Sequence, residues 1–246
     1  MRLIVLIFLF SIAVEAKDKI VSFNDGDQKW SYICIDIQGW DVFIEEPIKR
    51  DKKLFSDIKR QFEKDLKKIT LNIPNKALTF LKSVKIWVSS EKKYPFRSKE
   101  LGVFVFHRSR NWLSEHGLNP DMAGGIHMIN PDKVLYHHKV FEWGPMTLLH
   151  ELSHAYHWVH LGDENILIKK AFESSVKHNL YREVPSRSKP TRLVKAYASS
   201  NMREYFAELT EAYFGNNDYY PKTKRELRKY DSTGFKMIEA VWGITK

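Results

Sequence analysis

Cysteine is nearly missing from this chain: Cys34 is the only one in 246 residues. No intrachain disulfide is possible, so stability must come from a packed core, helped by any metal the chain binds. Zinc-finger spacings, RNP motifs and Gly-rich phosphate loops are also missing, which removes the usual signs of a nucleic-acid or nucleotide module. There is no internal repeat and no low-complexity tract. After the first 16 residues, no run is apolar enough to span a bilayer. Acidic residues are in the minority, 30 against 40 Lys and Arg, for a net charge of +10. Such a balance favours acidic polymers, anionic surfaces or acidic substrates as partners. The lysines are scattered over polar faces, however, which reads as a solvated surface.

What is present begins at the N-terminus. MRLIVLIFLFSIAVEA carries one Arg, an apolar run and small residues at Val14 and Ala16, the pattern of a secretory signal peptide over residues 1–16. A short membrane anchor is the competing reading. The expectation is a secreted chain starting near Lys17, with residues 17–246 forming one domain: an N-terminal α+β lobe to about 162 and a helical lobe over 163–246, around a cleft.

The pattern along the chain is α+β. WSYICIDIQGWDVFIE reads as a hairpin turning at Gln38-Gly39. Leu54, Phe55, Ile58, Phe62, Leu66 and Ile69 fall at helical spacing. Past Pro74 comes a short helix, then strands in VKIWVSS and LGVFVFH, and a short helix closed by Gly117. AGGIHMIN is a further strand, open to two readings: an edge strand offering its backbone to an extended peptide, or an ordinary interior strand. Its glycines suit close approach of another backbone. PSRSKPTR (185–192) reads as a loop, and helices follow it.

HELSHAYHWVH (150–160) carries the chemistry. Gly144-Pro145 suits a helix start and Gly162 a helix end. On that helix Leu148, Leu152, Ala155 and Val159 share one face, while His150, His154 and His157 gather on the other. His150 and His154 one turn apart, with Glu151 beside the first, make the H-E-x-x-H arrangement. Zinc accepts imidazole nitrogens, a catalytic site keeps a position open for water, and the glutamate takes that water's proton. A third ligand decides the class. His160 lies ten residues after His150, as in the H-E-x-x-H-x-x-G-x-x-H set, and Met202 sits where a Met-turn would be sought. That set needs Gly where this chain has His157; on an unbroken helix His160 is about 80° round from His150 and out of reach.

Glu204 is the other candidate, on a second helix with Glu208 one turn later. A carboxylate there can complete a His-His-Glu site, and Glu208 can accept the ring N–H of a ligand histidine. Equally, Asn201 can cap this helix with Glu204 as the acid of a capping box, leaving Glu208 and Glu211 as surface carboxylates. The residues alone leave both readings open. His157 reads as a wall of the cleft near the metal. His127, His137 and His138 read as core or surface residues.

Tyr197 followed seven residues later by Glu204-Tyr205-Phe206-Ala207-Glu208 resembles the end of the anthrax lethal factor catalytic domain and the Pro-Pro endopeptidases. These pair an H-E-x-x-H helix with a downstream Y-x6-E-[FY]-F-A-E stretch. The resemblance implies a zincin-like fold and a gluzincin-type zinc peptidase. It implies His150, His154 and Glu204 as ligands of one Zn2+, Glu151 as general base and Tyr197 as the catalytic tyrosine. It covers roughly the last hundred residues; AGGIHMIN matches the strand before the helix. The basic PSRSKP segment has a different character, so substrate preference does not carry over. Two other classes remain. One is a secreted binding module gripping an acidic polymer through Arg182, Arg187, Lys189, Arg192 and Lys195; the other is a hydrolase of small amides. A pure binder has no need of Glu151.

Overall fold

The computed structural model describes residues 19–90, 104–140, 146–189 and 191–244, which form an α+β fold. The leader, the Gly144-Pro145 helix start and the first three residues of LGVFVFH lie outside the described residues. None of the described helices is long and apolar enough to cross a membrane.

Strands β1 (Lys19–Asp25), β2 (Gln28–Ile37) and β3 (Trp40–Glu45) form an antiparallel meander. Its second turn falls at Gln38 and Gly39, with φ of 58° and 86°, as the sequence predicts. The first hairpin turns at Gly26-Asp27, with Gly26 at φ of 56°, and β1 alternates half-buried with exposed residues from Val21 on. Helices α1 (Glu46–Arg50), α2 (Lys52–Asn72) and α3 (Asn75–Ser83) follow. The Asp51 side chain caps α2, accepting the Leu54 N–H at 3.0 Å. Then come β4 (Ile86–Val88), β5 (Phe104–Phe106), α4 (Arg110–Glu115), β6 (Ile126–Met128) and α5 (Pro131–Val140).

The six strands run in the order β1-β2-β3-β4-β6-β5. β3, β4 and β6 are parallel, and β5 closes the sheet antiparallel to β6. AGGIHMIN is therefore an interior strand, and the outer edge belongs to β5. Gly125 allows the expected close approach: a Cβ there would sit 2.9 Å from the Lys85 carbonyl oxygen. Both sheet faces are covered. Alternate residues such as Ile35, Val42, Ile44, Ile86 and Ile126 point into the main core, while Tyr32, Phe43 and Trp87 pack with Leu113 and Met122 on the opposite face.

The second half is helical around α6 (Thr147–Ala155), which continues in wider π-type turns over Tyr156–Gly162. α7 (Ile166–Lys177) leads to a ribbon of β7 (Val184–Pro185) and β8 (Leu193–Val194) that brackets the basic loop. A 3-10 turn (Tyr197–Ser199) precedes α8 (Met202–Phe214), α9 (Lys224–Tyr230) and α10 (Ser232–Val241). α8 packs against α6, and the same apolar core runs from the sheet through α6 to α8 and α10.

α2 supports this arrangement from below. Ile58, Phe62, Leu66 and Ile69 are buried at the predicted spacing, and the Phe62 ring stands edge-on to Phe104 of β5. Truncating Phe62 to Ala should cost about 3–5 kcal/mol. Leu71→Ala, on the same helix but exposed, should stay within about 0.5 kcal/mol. Denaturant unfolding of the two variants checks this, and equal losses would contradict the packing.

Candidate metal centre

α6 brings His150 and His154 onto one side, with Leu148, Leu152 and Ala155 buried on the other. Val159 leaves that apolar face and is exposed, because the backbone has widened into π-type turns before reaching it. Such turns recur at functional sites in helices. They also govern His160. Its ring stacks on Tyr156 at 4.7 Å and lies 5.2 Å from Phe80 of α3, and it takes no part in the cluster formed by His150 and His154. Gly162 ends the run with φ of 84°.

The partner of the two imidazoles comes from α8. Asn201 caps that helix, accepting the N–H groups of Arg203 and Glu204 at 3.0 and 3.1 Å. The cap fixes the first turn, and Glu204 then turns toward α6. Its Oε2 lies 3.1 Å from His150 Nε2 and 3.2 Å from His154 Nε2. These separations suit a shared cation. Ligand atoms about 2.0–2.1 Å from a tetrahedral ion are about 3.3 Å apart. The protonation chemistry agrees: His150 Nδ1 faces Glu211 Oε1 at 2.8 Å, so an imidazole with its one proton there turns a bare lone pair toward Glu204. Only a second proton or a cation makes that contact attractive. Burial disfavours the His150 imidazolium, yet its hydrogen bonds to the Glu204 and Glu211 carboxylates outweigh that and raise its pKa well above the ordinary value. Burial pushes Glu204 up, but the two imidazoles outweigh that and hold it at about 2.

Glu211, not Glu208, meets the far nitrogen of His150. Seven helical residues fall only about 20° short of two full turns, so Glu211 points almost as Glu204 does, whereas Glu208 is rotated about 40° from it. Glu208 instead accepts a hydrogen bond from Asn217 Nδ2 at 3.0 Å. His150, Glu208 and Glu211 also form a compact group, with ligand atoms within 4.8 Å. That group is fully buried and offers no position for substrate. Burial and the neighbouring Glu211 push Glu208 up to about 8, so it readily holds a proton; burial raises Glu211 too, while its bond to His150 works the other way. The His150–His154–Glu204 group, by contrast, borders an open pocket of about 210 Å³ through His154 and Glu204.

Glu151 lies between the centre and the sheet edge. Its Oε2 accepts the Phe106 N–H of β5 at 2.9 Å, and burial raises its pKa despite the nearby imidazoles. Tyr197, half exposed, stacks loosely on His150, with ring centroids 6.3 Å apart. Partial burial and then the Glu204 charge raise its pKa, keeping the phenol protonated as a donor. His157 is buried against Phe206 and also lines the pocket. His127 is buried in the sheet, 3.0 Å from His107; His138 lies 3.5 Å from Asp65. The surface reading of Glu208 and Glu211 does not hold, since both are buried, and the seven-residue offset from Glu204 is the sequence signal for the role of Glu211. The Phe106 N–H that holds Glu151 is encoded by no residue-type pattern.

Comparison of the chain with protein-family models, curated proteins and solved structures gave no match.

The geometry orders the effects of substitution on metal uptake. Glu204→Ala should abolish high-affinity zinc binding, Glu211→Ala should weaken it about 10–100-fold, and His160→Ala should leave it unchanged. Competitive chelator titration of the three purified variants measures this. A loss confined to His160→Ala would point to the turn-dependent ligand set instead.

Proposed function

We propose that this chain is a secreted zinc-dependent metallopeptidase of the gluzincin type, with a zincin-like fold and His150, His154 and Glu204 as the ligands of one ion. The observation that carries the reading is the approach of one Glu204 oxygen to two imidazole nitrogens, at 3.1 and 3.2 Å. Bound there, the metal supplies Lewis acidity to the scissile carbonyl and to a water molecule. The protein's own groups do the rest. Glu151 accepts the proton of the attacking water and later delivers it to the leaving amine; its raised pKa suits an exchange in both directions. Tyr197, protonated and beside His150, donates a hydrogen bond to the developing oxyanion. Glu211 fixes the His150 ring orientation and its proton on Nδ1.

The sheet edge supports a peptide substrate. β5 is the outer strand, antiparallel to β6, and its Phe106 N–H reaches Glu151. An extended peptide added along that edge would pass the metal centre. The competing basic binding module gives no reason for a buried carboxylate tethered between the sheet edge and the imidazole pair.

Substitution separates metal holding from catalysis. Glu151→Gln should retain zinc but lose peptide hydrolysis by about a hundredfold or more. Tyr197→Phe should lose about 10²–10³ in kcat, also with zinc retained. Chelator-sensitive cleavage of a peptide mixture, read by mass spectrometry beside a metal assay, tests both. Full activity in Glu151→Gln would remove the proposed base.

A further inference from the structure

The pocket beside the metal centre has a distinctive lining. At its base lies His157, 1% exposed, with neither ring nitrogen hydrogen-bonded at normal geometry, although the Asp163 main chain is close. One wall is Trp158, over which the Arg108 guanidinium stacks 3.4 Å from the ring centroid. Arg203 completes the mouth. Its Nε donates to Asp163 Oδ1 at 2.7 Å and its Nη2 donates to Oδ2, while Arg108 Nη2 donates to Asp163 Oδ2 at 3.1 Å.

Two guanidiniums therefore share a single carboxylate. Within the clamp one carboxylate faces two guanidiniums, a surplus of one positive charge; Glu164, which also acts on Arg203, is exposed and paired with Lys169 at 3.7 Å. Each guanidinium has five N–H donors, and the Asp163 clamp engages two from Arg203 and one from Arg108, so donors remain for a second anion. Glu204 adds no competing negative charge when its carboxylate and the two imidazoles bind a cation. Arg108 is also held in place: stacking on Trp158 and the bond to Asp163 order its fork before any ligand arrives, which lowers the entropy lost on binding. The buried His157 ring supplies a further polar group that a ligand can satisfy.

We propose that this pocket is a substrate subsite selecting an acidic side chain, aspartate or glutamate, next to the bond being cleaved. This rests on the peptidase reading of the neighbouring centre. Arg108 is the main specificity residue, because its guanidinium lies on the pocket wall and Asp163 keeps Arg203 as a partner when Arg108 is replaced. The apolar surfaces of Trp158 and Phe106 would carry the methylene part of the side chain, and the guanidinium forks would take the carboxylate.

The test has a cleavage arm and a binding arm, both on the full zinc-loaded chain. A mixed peptide library should show Glu or Asp favoured over Gln or Asn by about tenfold or more at one position flanking the scissile bond. Arg108→Gln should erase that preference while cleavage of peptides with a neutral residue there persists. Arg108→Lys, which keeps the charge but loses the fork, should restore part of it; a merely structural role for the Trp158 stack would give no such recovery. In parallel, acetyl-Ala-Glu-Ala-amide and its Gln counterpart are titrated by NMR into wild-type and Arg108→Gln protein. Binding of the Glu peptide that depends on Arg108 supports the subsite even if no peptide is cleaved, an outcome that would sink the peptidase reading alone. Equal binding of the two peptides, or cleavage with an apolar or basic preference at every flanking position, overturns the proposal.

Discussion

Where α6 meets α8, two imidazoles lie among Glu204, Glu208 and Glu211, and a carboxylate withdrawn from water must have its charge answered or hold a proton. Glu204 is answered by His150 and His154, and His150 in turn by Glu211 on its other nitrogen. The result is a chain of contacts in which one ring is gripped from both sides. A cation among the Nε2 atoms and Glu204 would leave Glu211 as acceptor of the Nδ1 proton, the arrangement that fixes a ligand histidine. Removing one member would leave its neighbours with unanswered charges or lone pairs.

The rest of the fold holds these two helices at that distance. α8 is buried along its whole length from Tyr205 to Phe214, and the Asn201 cap sets the orientation of its first turn. Tyr205 and Tyr181 both donate to the buried Asp231 carboxylate, anchoring α8 against the C-terminal helices. On the other side the sheet delivers Phe106, whose N–H holds Glu151 in place. The π-type turns after Ala155 complete the division of labour. They carry His157 and Trp158 to the pocket while His160 turns aside onto Tyr156.

Much of this was legible in the residues. The hairpin at Gln38-Gly39 follows from turn chemistry, and α2 follows from its apolar spacing. His150, Glu151 and His154 are fixed relative to one another by a single helical turn, so their grouping needs no tertiary information. Glu204 required more: its local pattern fits a capping box as well as a ligand, and only its contact with α6 separates the two. Asn201 does cap the helix, so both parts of that ambiguity had physical substance. One turn makes Glu208 the natural partner for His150 in sequence, but nearly two turns carry Glu211 back to the same side, and Glu211 fills that role. The change to π-type turns and the choice of β5 rather than β6 as the outer strand depend on packing and strand order. Neither is written in a local window of sequence.

The central claim is that a single ion sits between the two helices, held by two imidazoles and one carboxylate. X-ray absorption at the zinc edge on metal-loaded protein addresses it most directly. The account predicts one zinc per chain with two imidazole nitrogens and carboxylate oxygen at about 2.0–2.1 Å, and loss of one imidazole contribution in His154→Ala. A site with three imidazoles, or a zinc environment unchanged when His154 is removed, would contradict it.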